Sequence, residues 1–347
     1  MKANVLFGIN NLQYIDVPLP KLKSREVLVK VKAAGICGSD IARVFKTGTY
    51  HFPTIIGHEF SGIVHAVNDS ADSHWLGKHV AIFPLKPCFK CDSCKQQKYE
   101  LCSNYDYLGS RCDGGFAEYV AVPAWNLLEM PTNISFEVSA MMEPASVALH
   151  ALKRSGFKAG DSLAIIGPGT IGMILCKLAL LSEAKNIFLI GRTQEKLDFA
   201  NKIGIYNTCN SSKEDIKEWI QEKTNGQGVD ISIEGTGASS SLNSCIEITK
   251  KSGTILALGN PHDDIILEKS TYWKILRNQL KLIGTWNSEF NTEQSDWLKI
   301  RNLITEGKLD LSPLITHRLH FKDLIKGLNI MNDKNKYSNK IMLINNE

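Results

Sequence analysis

Residues 162–172 read Ser-Leu-Ala-Ile-Ile-Gly-Pro-Gly-Thr-Ile-Gly, an apolar strand that runs straight into glycines and then into a helix-length apolar segment ending near Leu181. Few folds accept that order of elements. Gly167 permits a tight turn, Gly169 lets backbone approach a pyrophosphate, and Gly172 lets the helix pack closely on the strand. The helix start at Thr170 and Ile171 then faces the phosphates. The hexapeptide alone is a weak signal; its place between strand and helix gives it weight. The segments that follow (NIFLIG, EKLDFANKIG, VDISIEG and GTILALG) continue the alternation of strand and helix. Such alternation predicts an α/β domain, a doubly wound parallel sheet covered by helices, which we place at 149–287.

The chain before this domain has a different texture. Residues 26–36, EVLVKVKAAGI, alternate at period two with Val27, Val29 and Val31 on one face, and similar short runs recur at 61–67, 79–84 and 116–123. They predict a β-rich module with long loops. After Trp286 the α/β pattern stops, and SDWLKIRNLITEGKL reads as an amphipathic helix that stops at Gly307. The simplest organisation is a β-rich domain at 1–148 that resumes at 288–347, with the α/β domain inserted.

Composition narrows the function. Across 347 residues, 40 Lys and Arg face 36 Asp and Glu, and a net charge of only +4 argues against a dedicated nucleic-acid or membrane surface. The longest uncharged stretch, Ser162 to Cys176, is broken by Gly-Pro-Gly and is shorter than the ~20 apolar residues of a membrane span. The N-terminus reads as a first strand and not as a signal peptide. Four of the nine cysteines crowd into one segment, which points to a metal in a reducing compartment. The expected location is the cytoplasm.

That segment, at 86–104, holds Cys88, Cys91, Cys94 and, after seven residues, Cys102. Four thiolates from one tight loop can close a tetrahedral shell around zinc, and a closed shell leaves no position for substrate, so the site reads as structural. Spacing alone also admits an iron–sulfur cluster. The other cysteines outside the motifs (Cys112, Cys176, Cys209 and Cys245) read as buried thiols.

The end of the next strand speaks to the dinucleotide. An NAD site offers Asp or Glu about 20 residues past the glycines, but here the strand runs into Gly191-Arg192-Thr193. Glycine makes room for a 2′-phosphate and Arg192 supplies a planar guanidinium to bind it, which favours NADP(H) over NAD(H). A solvated arginine at a strand end is the plainer alternative.

Three further motifs are scattered: Cys37 in GICGSD, His58 and Glu59 in GHEFSG, and Glu143 in MMEPASVALH. Together they offer one sulfur, one imidazole and carboxylates, the mixed set of a catalytic zinc with an open position.

With the glycine motif and the four-cysteine lobe, these residues resemble the zinc-dependent medium-chain dehydrogenase family over essentially the whole chain. The resemblance implies a GroES-like β-rich catalytic domain plus a Rossmann domain, and two zinc ions per chain, one catalytic and one structural. It implies that Cys37, His58 and Glu143 hold the catalytic zinc, that Glu59 is a fourth ligand or a neighbour competing with water, and that Ser39 passes the substrate proton toward solvent. The stretches around Cys37–His58 and around the cysteine lobe are most similar to family members acting on polyol phosphates. A galactitol 1-phosphate-like or pentitol phosphate is therefore the expected substrate. Free sorbitol, xylitol or arabitol, or threonine, are the alternatives, and a non-catalytic dinucleotide and zinc binder is a remote one. Such relatives carry an acidic residue where this chain has Gly191, and the segment 284–289 departs from the family's usual wording.

A phosphorylated substrate calls for cations near the zinc. Arg43, Lys46 and Arg111 are candidates, and Tyr50 and His51 are placed to hydrogen-bond substrate hydroxyls. The resemblance also implies a homodimer or homotetramer, with residues 253–261 and 280–286 as the candidate edge.

Overall fold

The computed structural model describes residues 1–261, 263–291, 295–333 and 336–345. It divides into two compact units, Met1–Pro144 with Glu289–Glu347, and Ala145–Ser288.

The first unit is built on one long strand, Glu26–Ile36. One of its edges pairs antiparallel with Glu59–Val67; the other is shared by Tyr119–Pro123 along the first half and by Lys340–Ile344 along the second. Apart from Lys30 and Lys32 the strand is buried on both faces. The period-two pattern of its valines therefore understates its burial, because the alternate positions are small or apolar and also sit in the core. The sheet extends through His79–Ile82 and Leu127–Glu129 on one side and Ile315–His320 on the other.

The N-terminus forms a hairpin of two strands, Lys2–Gly8 and Asn11–Asp16. The core of the unit draws on Val27, Val29, Val31, Phe60, Val80, Ile82 and Phe116 from the N-terminal part, and on Phe321, Leu324, Leu328, Ile341 and Leu343 from the C-terminal return. The helix Asp296–Thr305, capped by Ser295, docks through aromatic packing. Trp297 lies edge-on to Phe83 and Phe290, which are themselves stacked with centroids 4.6 Å apart. Each such pair contributes about 0.5–1.5 kcal/mol beyond its buried area.

The second unit is a six-stranded parallel sheet. Ser162–Ile166 is its first strand, flanked by Asn186–Gly191 on one side and Val229–Glu234 on the other, so the winding reverses beside it. Helices such as Thr170–Leu181 and Gln194–Lys202 cover it. Ala164, Ile166, Phe188, Ile190, Ile246 and Ile255 form much of the core. In open parallel sheets a ligand binds at such a switch point, beyond the carboxyl ends of the strands. Among the described residues no helix is long and apolar enough to cross a membrane.

Candidate active site

Cys37 closes the long strand and caps the short helix Gly38–Ala42. Its amide donates to Asp40 Oδ2 at 3.0 Å, which turns the Asp40 carboxylate back into the protein, where it is fully buried. Two groups then meet Asp40 Oδ1: the Arg43 guanidinium at 2.8 Å and His58 Nδ1 at 3.6 Å. Burial alone would raise the Asp40 carboxyl, but His58 and Arg43 outweigh it and hold it down at about 2. The same Arg43 Nη1 donates to Ser39 Oγ at 3.0 Å and lies 3.2 Å from His58 Nδ1. The imidazole is thus oriented through Nδ1, leaving Nε2 for another partner.

Strand register brings Glu59 opposite Gly35. A Cβ at position 35 would strike the Glu59 carboxylate, so only glycine leaves room for that side chain to reach the cluster. Lys340, at the start of the C-terminal strand, donates to Glu59 Oε2 and, at 3.1 Å, to the Ile36 carbonyl. The two side chains are 3% and 2% exposed, so this ion pair is dry and the two charges depend on each other. Cys37, His58 and Glu59 bring ligand atoms within 4.8 Å of one another.

Glu143 does not join those three at that distance. Its Oε1 accepts from the Tyr107 hydroxyl at 3.2 Å. Burial pushes the Glu143 carboxyl up to about 7; His58 opposes the shift and the charge of Glu59 adds to it. Burial, which disfavours the charged form, is the main cause of the raised value, and Lys340 counters it in part.

The four lobe cysteines also converge, with all sulfurs within 4.8 Å. Cys88 and Cys94 sulfurs are 4.0 Å apart and those of Cys91 and Cys102 are 3.9 Å apart. These are far beyond a disulfide bond of about 2.05 Å. They are close to the ~3.8 Å edge of a tetrahedron with zinc–sulfur bonds of about 2.3 Å. Backbone amides serve the sulfurs as well: Cys88 N–H donates to Cys102 Sγ at 3.2 Å and Cys91 N–H to Cys88 Sγ at 3.4 Å. Amides of Cys94 and Ser103 pull the Cys91 thiol down to about 5, whereas burial pushes the Cys94 thiol up to about 12. Phe89 and Tyr99 of the lobe pack edge-on against Trp125 and anchor it to the unit. Outside the motifs, Cys176, Cys209 and Cys245 are buried and Cys112 is half-buried.

In the second unit Gly167 takes φ +122°, a conformation that favours glycine, and a Cβ at Gly172 would collide with the Gly167 carbonyl. Nothing lies within 4 Å of a Cβ built on Gly169, which caps the helix Thr170–Leu181, so open space sits at the helix start. Gly191 has a second reason to be glycine: the Pro168 ring occupies the place where a side chain would begin. Arg192 is exposed beyond it, and Thr193 caps the helix Gln194–Lys202.

The candidate substrate residues fall into different situations. Arg43 is engaged with Asp40, and Lys46 is exposed at the end of the turn Arg43–Thr47. Tyr50, His51 and Arg111 are drawn together on facing loops, with His51 Nε2 3.2 Å from the Arg111 carbonyl and Arg111 Nη2 donating to Tyr50 OH at 3.2 Å.

Comparison with known proteins decides the family. Residues 23–132 match the alcohol dehydrogenase GroES-like domain and residues 170–306 the zinc-binding dehydrogenase family. The chain is 35% identical over 328 residues, 94% of each chain, to galactitol 1-phosphate 5-dehydrogenase of Escherichia coli strain K12. It belongs to the zinc-dependent medium-chain dehydrogenases. The crystal structure of galactitol-1-phosphate dehydrogenase from Escherichia coli superimposes with a TM-score of 0.92 at 34% identity, covering 99% of this chain and 100% of that one. A protein of Sinorhizobium meliloti 1021 classed with the zinc-binding dehydrogenases, and bound to NADP, superimposes with a TM-score of 0.89 at 29% identity and 99% coverage of both.

This dehydrogenase therefore has the GroES-like and Rossmann architecture that the motifs imply. Three residues that sequence reasoning passed over shape its centre: Asp40, Tyr107 and Lys340. Asp40 had a signal, since an acid three residues into a helix capped by Cys37 is placed to turn back on the cap. Lys340 had one too, a lone cation opening the apolar run Ile341–Ile344. Tyr107 had none; it reaches Glu143 because the two-residue strand Asp106–Tyr107 pairs with Leu85–Lys86.

Proposed function

We propose that this medium-chain dehydrogenase transfers hydride between a secondary hydroxyl of a polyol phosphate and NADP, with Cys37, His58 and Glu143 holding a catalytic zinc. The observation that carries the reading is the convergence of Cys37, His58 and Glu59 on one buried point, with Glu59 committed to Lys340. Lys340 holds Glu59 through Oε2, which supports Glu59 as a neighbour of the metal, and Glu143, held by Tyr107 beside His58, would be the carboxylate ligand. Zinc there supplies Lewis acidity toward the hydroxyl, and the nicotinamide supplies the hydride acceptor.

The chain's own residues do the rest. Asp40 fixes the His58 ring through Nδ1. Ser39 Oγ accepts from Arg43, which directs the Ser39 hydroxyl hydrogen away from the guanidinium, the polarity needed to pass a proton onward. Lys340 balances the charge of Glu59. Cys88, Cys91, Cys94 and Cys102 hold a structural zinc whose closed shell keeps substrate out.

NADP is favoured over NAD because Pro168 and Gly191 exclude a carboxylate at the strand end and Arg192 stands exposed beside it. The edge strand Lys281–Gly284, with Leu282 49% and Trp286 51% exposed, supports a homodimer formed along that edge. Free cysteines throughout suit the reducing cytoplasm.

The test is nicotinamide reduction by the zinc-loaded protein, scanning galactitol 1-phosphate, pentitol phosphates and the free polyols against NADP and NAD. Turnover of a polyol phosphate with NADP is expected; turnover of free polyols alone would overturn the substrate assignment.

A further inference from the structure

A phosphate monoester carries close to two negative charges and is best met by a guanidinium whose donors are already oriented and whose charge is not already neutralised. The sequence offers three candidate cations, Arg43, Lys46 and Arg111, and the structure separates them. Arg43 donates to Asp40, its charge partner, and to Ser39. Lys46 is an exposed side chain on a flexible stem, which must be ordered by any ligand it meets.

Arg111 differs from both. Its guanidinium carbon lies 4.1 Å from the centroid of the Tyr50 ring and 4.4 Å from that of Tyr105, over each ring. Two aromatic faces hold the group in place and favour its positive charge. One N–H is used on the Tyr50 hydroxyl at 3.2 Å. Among the described residues no carboxylate pairs with Arg111, so the charge is oriented and uncompensated.

The backbone of Arg111 is equally fixed. Its amide donates to the Tyr107 carbonyl at 2.9 Å, as does that of Cys112 at 3.2 Å. Tyr107 is also the residue whose hydroxyl holds Glu143 and whose ring lies 5.8 Å from the His58 ring. The turn that presents Arg111 is therefore anchored on the residue that touches the candidate metal ligands. From the facing loop, the Tyr50 amide donates to the Ser110 carbonyl at 3.2 Å and His51 Nε2 meets the Arg111 carbonyl at 3.2 Å. Tyr50 is 69% exposed, so the clamp opens to solvent and a ligand can reach it.

We propose that Arg111, clamped over Tyr50 and Tyr105, binds the phosphate group of the substrate and so sets the preference for phosphorylated over free polyols. The assignment rests on the polyol reading above. It makes Arg111 a substrate-binding residue remote from the reacting carbon, so its contribution is to binding and not to the hydride step.

The experiment is calorimetric titration of galactitol 1-phosphate and of galactitol into the zinc-loaded wild type, Arg111→Ala and Arg111→Lys, with steady-state kinetics beside it. Arg111→Ala is expected to weaken binding of the phosphate by roughly tenfold to a hundredfold, the range for a lost hydrogen-bonded charge pair. Galactitol, which lacks the phosphate, loses far less binding than galactitol 1-phosphate in either variant. Arg111→Lys, which keeps charge but loses the planar fork, falls between. In turnover the loss appears as a raised KM with kcat within about twofold of wild type.

The proposal is overturned if Arg111→Ala binds the phosphate as tightly as wild type, or if wild type itself prefers galactitol 1-phosphate no more than galactitol. Tight, Arg111-dependent binding of the phosphate without nicotinamide reduction would sink the polyol reading and support the anion site. Turnover of free polyols with no advantage from the phosphate would sink the anion site and leave the dehydrogenase standing.

Discussion

The two cysteine-containing centres of the first unit are built in opposite ways. The lobe takes all four sulfurs from one loop between Cys88 and Cys102, and its supporting amides come from the same loop. The Cys37 centre is assembled from a strand end, a strand start, a helix, a two-residue strand and the last strand of the chain, bringing Cys37, Glu59, Glu143, Tyr107 and Lys340 together. A local centre needs only its loop. An assembled centre needs the whole sheet in register, and it therefore reports on residues hundreds of positions away.

Substitutions sharpen that contrast. The largest effect is expected on catalysis: Cys37→Ser should remove turnover, a loss of at least about a thousandfold for an essential metal ligand, while thermal melting and dinucleotide binding stay near wild type. Cys94→Ser should do the reverse in kind, lowering the melting temperature by opening the lobe. Equal melting losses in the two variants would erase the distinction between the centres.

A smaller effect tests the reach of the assembled centre. Lys340→Met leaves the buried Glu59 carboxylate without its partner, and such a loss costs about 3–5 kcal/mol of stability. Adding Glu59→Gln should return much of it, since the uncompensated charge is then gone. Denaturant unfolding of the single and double variants measures both, and additive losses would show that the pair is not coupled.

Legibility in the sequence followed the same division. The lobe cysteines are spaced by local geometry, so spacing alone exposed them, and the glycines at 167, 169 and 172 were legible from their place between a strand and a helix. The ligand candidates Cys37, His58, Glu59 and Glu143 were visible one by one, but Tyr107 carried no signal, and Lys340 lies 281 positions from Glu59 so that only strand pairing brings them together. Gly191 shows a further limit. Its glycine reads as room for a 2′-phosphate, whereas the structure adds the Pro168 ring packed against it, a cause that no spacing rule carries. The Tyr50–Arg111–Tyr105 clamp was similarly hidden, since Arg111 reads as one charged loop residue among several until two loops fold over each other.

The central claim, two metal centres of different construction in one unit, is tested most directly by counting zinc per chain in purified wild type, Cys37→Ser and Cys94→Ser by elemental mass spectrometry. The account predicts two zinc ions in wild type and one in Cys37→Ser, with the fold retained. A single zinc in wild type that persists unchanged in Cys37→Ser would contradict it.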